Sequence, residues 1–308
     1  MNRYATALSV ALRTWKSFSQ SEKSFDMRFI FHFVLLALAS LFANETGVAQ
    51  ETIQPKSFVI CYNPGVPSKD FAPYAMVVVD YAYPSDAVAE LRRQGKSVFG
   101  YLSIAKVHEE RPFASDVKSL GIEQRRDAKF SGTVRVNAAD PKWSQLLVQV
   151  VVPRMKSLGF NGIFLDDLDD LKERKLERHG VTLIREIRRM NPDMKIMANR
   201  GLEYLADFAS QVDFVLLESC FVLEGKLRKP ADSAWAMGLL RGGMGVNPKL
   251  QGVAIDYIQN RAFRSNANKG QSLSPDQLRL VGRIRKLHAK HGLLSCVSTD
   301  DLQRVPDF

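Results

Sequence analysis

A chain of 308 residues is long enough for two ordinary domains or one barrel-sized domain, so length alone does not choose between them. With 45% hydrophobic and 25% charged residues it has the composition of a globular protein, which excludes extensive disorder. The net charge of +10 invites a nucleic-acid reading, but the basic excess is scattered over Arg92-Arg93, Arg125-Arg126 and residues 172–178, 185–189 and 283–286, mostly on expected helices where a solvated face explains it. No nucleic-acid motif accompanies these residues, so nucleic acid is not an expected partner.

The first expected feature is an export signal. Met27-Arg28 gives a basic start, residues 29–43 give an apolar core, and Gly47-Val48-Ala49 gives a small-residue cleavage site. The core is short for a membrane span. Residues 1–50 are therefore expected to be an N-terminal extension and secretory signal, and residues 51–308 one periplasmic or secreted domain with no stable membrane span after cleavage. The alternative is an uncleaved anchor. Because a signal normally begins at the initiator, Met27 is the expected start of the exported precursor.

From residue 58 onward, continuous apolar runs recur at 58–62, 76–81, 98–104, 162–166, 195–199, 214–218, 252–257 and 293–298. Unbroken runs of this length are what strands of a parallel sheet covered on both faces look like. Helices are expected between them at 85–94 with Ser85 as N-cap, at 141–158, 181–190 and 202–209, and at 274–291, opened by Ser-Pro-Asp. Eight alternating units argue for a (β/α)8 TIM-type barrel. A ninth run at 133–137 reads as an extra element between the third and fourth strands. If it belonged to the main sheet, a doubly wound open sheet would be the alternative. Gly242-Gly-Met-Gly245 and residues 260–271 read as loops.

The chemistry concentrates where strands end. Asp80, Ser103, Asp166, Asn199, Glu218, Asp256 and Ser298 all close apolar runs, and in a parallel barrel those ends share the face that carries the active site. The run "GFNGIFLDDLDD" places four carboxylates within five residues after a buried strand. Strand alternation sorts them: if Phe164 points inward so does Asp166, while Leu165 and Asp167 face the helices or the loop. Asp169 returns to the rim. Two carboxyl groups across a pocket floor, Asp166 and Glu218, are the minimum for glycosidic bond cleavage. Tyr101 and Tyr257 are candidate sugar platforms. The competing readings are a structural or capping role for Asp166, and a magnesium site at Asp166-Asp167-x-x-Asp170, which here lacks a second acidic motif. Cys61, Cys220 and Cys296, without CxxC spacing, form neither a disulfide framework nor a zinc site. The few histidines are not at ligand spacing near strand ends, and no metal or cofactor is expected.

Phe99-Gly-Tyr-Leu-Ser-Ile104, Gly159-Phe-Asn-Gly-Ile-Phe-Leu-Asp-Asp-Leu-Asp169, Asn199-Arg-Gly-Leu-Glu203, Val215-Leu-Leu-Glu-Ser219 and Val253-Ala-Ile-Asp-Tyr257 resemble, in order and spacing, the endo-α-1,4-polygalactosaminidase-like glycoside hydrolases of family 114. The resemblance runs from about residue 57 to the C-terminus. It implies a TIM-type barrel that cleaves α-1,4-linked galactosamine or N-acetylgalactosamine polymer without a metal, with Asp166 and Glu218 as the catalytic carboxylates. It also implies that Asn199, Asp80 and Tyr101 line the pocket. On this reading Asp166 is the nucleophile and Glu218 the general acid/base, although the two roles are exchangeable, and Asp169 and Asn199 order the site. Ser103, Asp256 and Tyr257 complete the expected substrate contacts. The chain departs from the family after the third strand, where Ala105-Lys106 replaces Gly-Glu, and at Asp167, where a small polar residue is expected. The alternative function is a non-catalytic polysaccharide-binding barrel.

Overall fold

The computed structural model describes residues 58–122, 124–258 and 273–306, all within one compact unit, Gln54–Phe308. The expected export signal and the expected loop at 260–271 lie outside the described residues.

Eight parallel strands form the main sheet: β1 (Phe58–Cys61), β2 (Met76–Val79), β3 (Ser97–Ser103), β7 (Gly162–Asp166), β8 (Lys195–Asn199), β9 (Phe214–Glu218), β12 (Gln251–Tyr257) and β13 (Leu294–Ser298). They are hydrogen-bonded in that order, and β13 returns beside β1, so the sheet curls into a nearly closed barrel. Each of the eight runs read from the sequence is a strand, with ends shifted by at most two residues. The physical reason is the one given by their composition: alternate residues fill two different cores. Phe58, Ile60, Met76, Val78, Phe99, Phe164, Met197, Leu216, Val253 and Ile255 plug the barrel interior. Their neighbours in sequence pack outward under the helices. Each fully buried side chain of this kind contributes about 1.5–3 kcal/mol, which holds the strand register and with it the rim.

The run at 133–137 is β6 (Thr133–Val136), the middle strand of a small antiparallel sheet with β4 (Lys106–His108) and β5 (Gln124–Arg126). It is an insertion between β3 and β7, as expected. The barrel count therefore stays at eight.

Helix α1 (Ser85–Arg93) follows β2, and α2 (Ala114–Ser119) lies in the insertion. α3 (Pro141–Leu146) is capped by Asp140, whose side chain accepts from Lys142 N, and it continues through a π turn (Leu147–Val151) into α4 (Val152–Ser157). Then come α5 (Leu168–Glu173), α6 (Glu177–Met190), α7 (Pro230–Val246) and α8 (Pro275–Lys290). The Ser-Pro-Asp signal before α8 is a full capping box, with Ser274 and Gln277 bonding reciprocally to each other's backbone. Three expectations change. Pro84, not Ser85, is the N-cap residue of α1, and Ser85 opens the helix without a side-chain cap. The segment 202–209 forms 3-10 turns (Leu202–Asp207, Ala209–Gln211) with a kink at Tyr204. Gly242-Gly-Met-Gly245 lies inside α7, because Leu205 packs where a side chain at Gly243 would go, and this close tertiary approach outweighs the poor helix propensity of glycine.

Candidate active site

The same alternation that fills the barrel supplies its mouth. Counting two residues on from each interior plug gives Tyr62 after Ile60, Asp80 after Val78 and Tyr101 after Phe99. It gives Asp166 after Phe164, Asn199 after Met197, Glu218 after Leu216 and Tyr257 after Ile255. Seven polar or aromatic side chains thus converge above one apolar floor.

Asp256 is the exception among the expected contacts. It sits between Ile255 and Tyr257 and so points out of the barrel, fully buried. Its Oδ1 accepts from the backbone N–H groups of Phe221 (2.9 Å) and Val222 (2.6 Å), and its Oδ2 lies 2.7 Å from His288 Nε2. A polar residue near the end of the run looked like a pocket residue, but β12 extends one position further, and the strand period of two puts Asp256 behind the wall. It ties the chain after β9 to α8.

At the centre, Asn199 Nδ2 donates to Asp166 Oδ1 at 2.8 Å and to Glu218 Oε2 at 3.1 Å. The two tyrosines complete a near-symmetric arrangement: Tyr101 donates to Asp166 Oδ2 and Tyr257 to Glu218 Oε1, each at 2.9 Å. Asp166 also accepts from the backbone N–H of Asp167 at 2.8 Å. Every one of these partners is a donor, so the carboxyl oxygens named here all act as acceptors. Asn199 Oδ1 is buried and has no hydrogen-bond partner among the described residues.

Burial pushes the Asp166 carboxyl up to about 6, with the neighbouring Asp167 charge adding to the shift and the Asn199 hydrogen bond opposing it. Burial likewise raises Tyr62, Tyr101 and Tyr257 well above the ordinary phenol range, reinforced in each case by the nearby carboxylates, so all three keep their protons.

The backbone bends abruptly just past these side chains. Asp167 (φ 67°), Arg200 (φ 59°) and Ser219 (φ 52°) directly follow Asp166, Asn199 and Glu218, and all three are non-glycine residues in the left-handed region. Such conformations cost on the order of 1 kcal/mol or more each. The strand ends are thereby cut off sharply, so each functional side chain stands at the rim rather than continuing into a strand.

A ring of ion pairs surrounds the centre. Arg111 grips Asp80 through two bonds of 2.7 and 2.8 Å. Arg200 reaches Asp169 at 3.1 Å and Glu218 at 3.6 Å, and Gly201 N donates to Asp169 Oδ1 at 3.1 Å. Lys106 stands 2.6 Å from Asp167, whose other oxygen receives Ser103 Oγ at 2.5 Å. Asp170 pairs with Arg174 (3.1 Å) and Arg135 (3.2 Å) and lies 3.7 Å from the Lys106 ammonium that Asp167 also holds, so cationic side chains occupy this acidic spacing.

Two hollows flank the centre. One, of about 340 Å³, lies beyond β8 and β9 and is lined by Glu218, Asp169, Arg200, Glu203 and the 57% exposed Trp235. The other, of about 510 Å³, lies over β3 and the small sheet and includes Tyr101, Ser103, Asp166 and Asp167. The structure thus brings Asp166, Glu218, Asn199, Tyr101 and Tyr257 into direct contact, places Asp80, Ser103 and Asp169 one layer out, and removes Asp256. Sequence reasoning missed Tyr62, Arg111, Arg200 and Trp235. Tyr62 was available to the same count of two from an interior plug, whereas Arg111 and Trp235 come from an insertion and a helix whose positions only the fold defines.

Residues 43–272 match Glycoside-hydrolase family GH114. Among solved structures, the glycoside hydrolase domain of PelA from Pseudomonas aeruginosa shares 23% identity at a TM-score of 0.64, covering 82% of this chain and 97% of that one. Aspergillus fumigatus Ega3, solved in complex with galactosamine, shares 13% identity at a TM-score of 0.60, covering 80% of this chain and 91% of that one. At these identities the two structures establish the barrel fold. No curated protein matches the chain.

Proposed function

This chain belongs to glycoside-hydrolase family GH114, and from that premise we propose that it is a secreted or periplasmic endo-glycosidase cleaving α-1,4-linked galactosamine or N-acetylgalactosamine polymer with Asp166 and Glu218. The galactosamine held by Ega3, a neighbour in fold, supports the amino-sugar substrate. Among the described residues no helix is long and apolar enough to cross a membrane.

The observation that carries the reading is the Asn199 bridge. The two carboxyl oxygens that share one amide nitrogen at 2.8 and 3.1 Å stand no more than about 6 Å apart, a closeness that supports a retaining pair, whose carboxyl groups are roughly 5–5.5 Å apart. Asp166 is the nucleophile. It is fixed at a strand end by Tyr101, Asn199 and the Asp167 backbone, so little motion is lost when it attacks the anomeric carbon. Glu218 also lines the hollow beside Trp235, where it reaches the leaving-group oxygen and water. It gives its proton to the leaving oxygen in the first step and takes one from water in the second. In the first step the carbon–oxygen bond to the leaving sugar breaks as the Asp166 ester forms, and in the second water cleaves that ester. Asn199 donates to both carboxylates and so follows negative charge as it moves from one to the other.

The test is reducing-end release from partially de-N-acetylated α-1,4-N-acetylgalactosamine polymer by the purified protein, with Asp166→Asn and Glu218→Gln in parallel. Cleavage by the parent alone, with the α-anomer appearing first by NMR, is the expected result. Binding without cleavage by the parent would make the protein a polysaccharide-binding barrel.

A further inference from the structure

The hollow over β3 has a charge arrangement of its own, and apart from Asp166 the carboxylates beside it are ion-paired. Asp80 is gripped by Arg111, Asp167 by Lys106 and Ser103, and Asp166 by Tyr101 and Asn199. What remains toward solvent is cationic and apolar. Phe130 is 48% exposed, and the ammonium groups of Lys129 and Lys106 lie 5.2 and 5.5 Å from its ring centre. Lys129 is exposed and forms no ion pair among the described residues.

We propose that this hollow is a subsite for an N-acetylated hexosamine unit and disfavours a unit carrying a protonated amine; the proposal rests on the amino-sugar reading above. An ammonium placed over Phe130, on the rim away from Asp166, meets the ammonium of Lys129, which no ion pair among the described residues offsets, whereas Lys106 is offset by Asp167, so the interaction there is repulsive. An acetamido group carries no charge. Its carbonyl accepts from an ammonium of Lys129 or Lys106, and its methyl covers the exposed face of Phe130, whose ring the two cations already hold in place. The consequence is directional. A partially acetylated chain settles so that an acetylated unit falls on the β3 side of the cut, and the enzyme samples acetylation pattern as well as sugar identity.

The experiment is cleavage of partially N-acetylated α-1,4-galactosamine oligomers by the full-length protein, with the products sequenced by mass spectrometry. One of the two new ends is expected to be acetylated about tenfold more often than the other, the ratio that one ammonium repulsion of ordinary size produces. Lys129→Glu is expected to reduce or reverse that ratio. Equal acetylation at both new ends, or a bias untouched by Lys129→Glu, overturns the proposal. In parallel, fully N-acetylated and fully de-N-acetylated trisaccharides are titrated into Glu218→Gln and Glu218→Gln/Lys129→Glu by NMR. The added charge reversal is expected to weaken the first sugar and strengthen the second. Sorting in binding without any cleavage by the parent would remove the hydrolase reading and leave the subsite standing, whereas cleavage without sorting would do the opposite.

Discussion

The ammonium of Lys106 stands 2.6 Å from Asp167 Oδ1, so the cation that follows β3 is answered by the residue that follows the strand of Asp166. Burial works against the charge on Lys106, but the Asp167 bond more than offsets it and the ammonium is held above its ordinary pKa. The pair therefore acts on Asp166 as a unit. After burial, the Asp167 charge is the next largest cause that raises the Asp166 pKa, and an ammonium 2.6 Å from Asp167 opposes the field of that charge by Coulomb's law. Lys106→Met is expected to move the acid limb of the kcat/KM profile upward from about pH 6, and Asp167→Asn to move it downward. Because Lys106 acts through Asp167, the double variant should lie close to Asp167→Asn alone. Additive, independent shifts would show that the two residues are not coupled.

The raised Asp166 pKa also fixes the sign of the parent profile. As a nucleophile the group must be ionised, so kcat/KM rises with pH through about 6; if Asp166 were instead the proton donor, activity would fall above about 6. The same shift governs stability. A carboxyl whose folded pKa lies above its unfolded value favours folding while protonated, and that stability is lost as pH rises from about 4 to about 6. Asp166→Asn is therefore expected to raise stability at pH 7.5 by about 3 kcal/mol, read as a higher Tm, and to leave Tm nearly unchanged at pH 4. Thermal melts of parent and variant at the two pH values read this directly.

Asn199 is asked to serve both carboxylates with one nitrogen. Removing it in Asn199→Ala deletes two hydrogen bonds to carboxyl groups, each contributing up to about 1.5–3 kcal/mol net where the carboxyl is charged, and leaves the two facing carboxyl groups without a shared donor. A fall in kcat of about 10²-fold or more is expected, with a smaller change in KM. A variant that raised KM alone would mean that Asn199 only binds sugar.

Asp256 is predicted to behave as a structural residue. Asp256→Ala leaves the Phe221 and Val222 N–H groups and His288 without their shared acceptor, and a buried pair broken in this way costs about 3–5 kcal/mol. Denaturant midpoints should drop accordingly, while the KM of the folded fraction stays close to that of the parent. A large rise in KM at unchanged stability would return Asp256 to the substrate groove.

The comparison of Asp166 with Asp256 shows why the site was only partly legible. Both are aspartates at or near the end of an apolar strand, and nothing in their immediate sequence ranks one over the other. Asp166 is in phase with Phe164 and faces the mouth, whereas Asp256 is out of phase with Ile255 and faces His288. Phase relative to the interior plugs is the signal in the sequence that separates the two. Helix α7 was hidden for another reason. Its glycines have weak local preference, and tertiary packing, with Leu205 against Gly243 and Met237 and Leu240 buried on the same helix, favours the helix there.

By itself the sequence determined the eight-strand barrel, because continuous apolar runs can be satisfied only when both faces of a parallel sheet are covered. It also determined that carboxylates would gather at one end, because parallel strands share their C-terminal face. Only the tertiary structure decided which polar groups touch. The Asn199 bridge, the Lys106–Asp167 pair and the Arg111 grip on Asp80 join residues 19 to 61 positions apart. Hydrogen bonds and ion pairs act over about 3 Å, and sequence spacing carries no information at that distance until the barrel has closed and set the strands side by side.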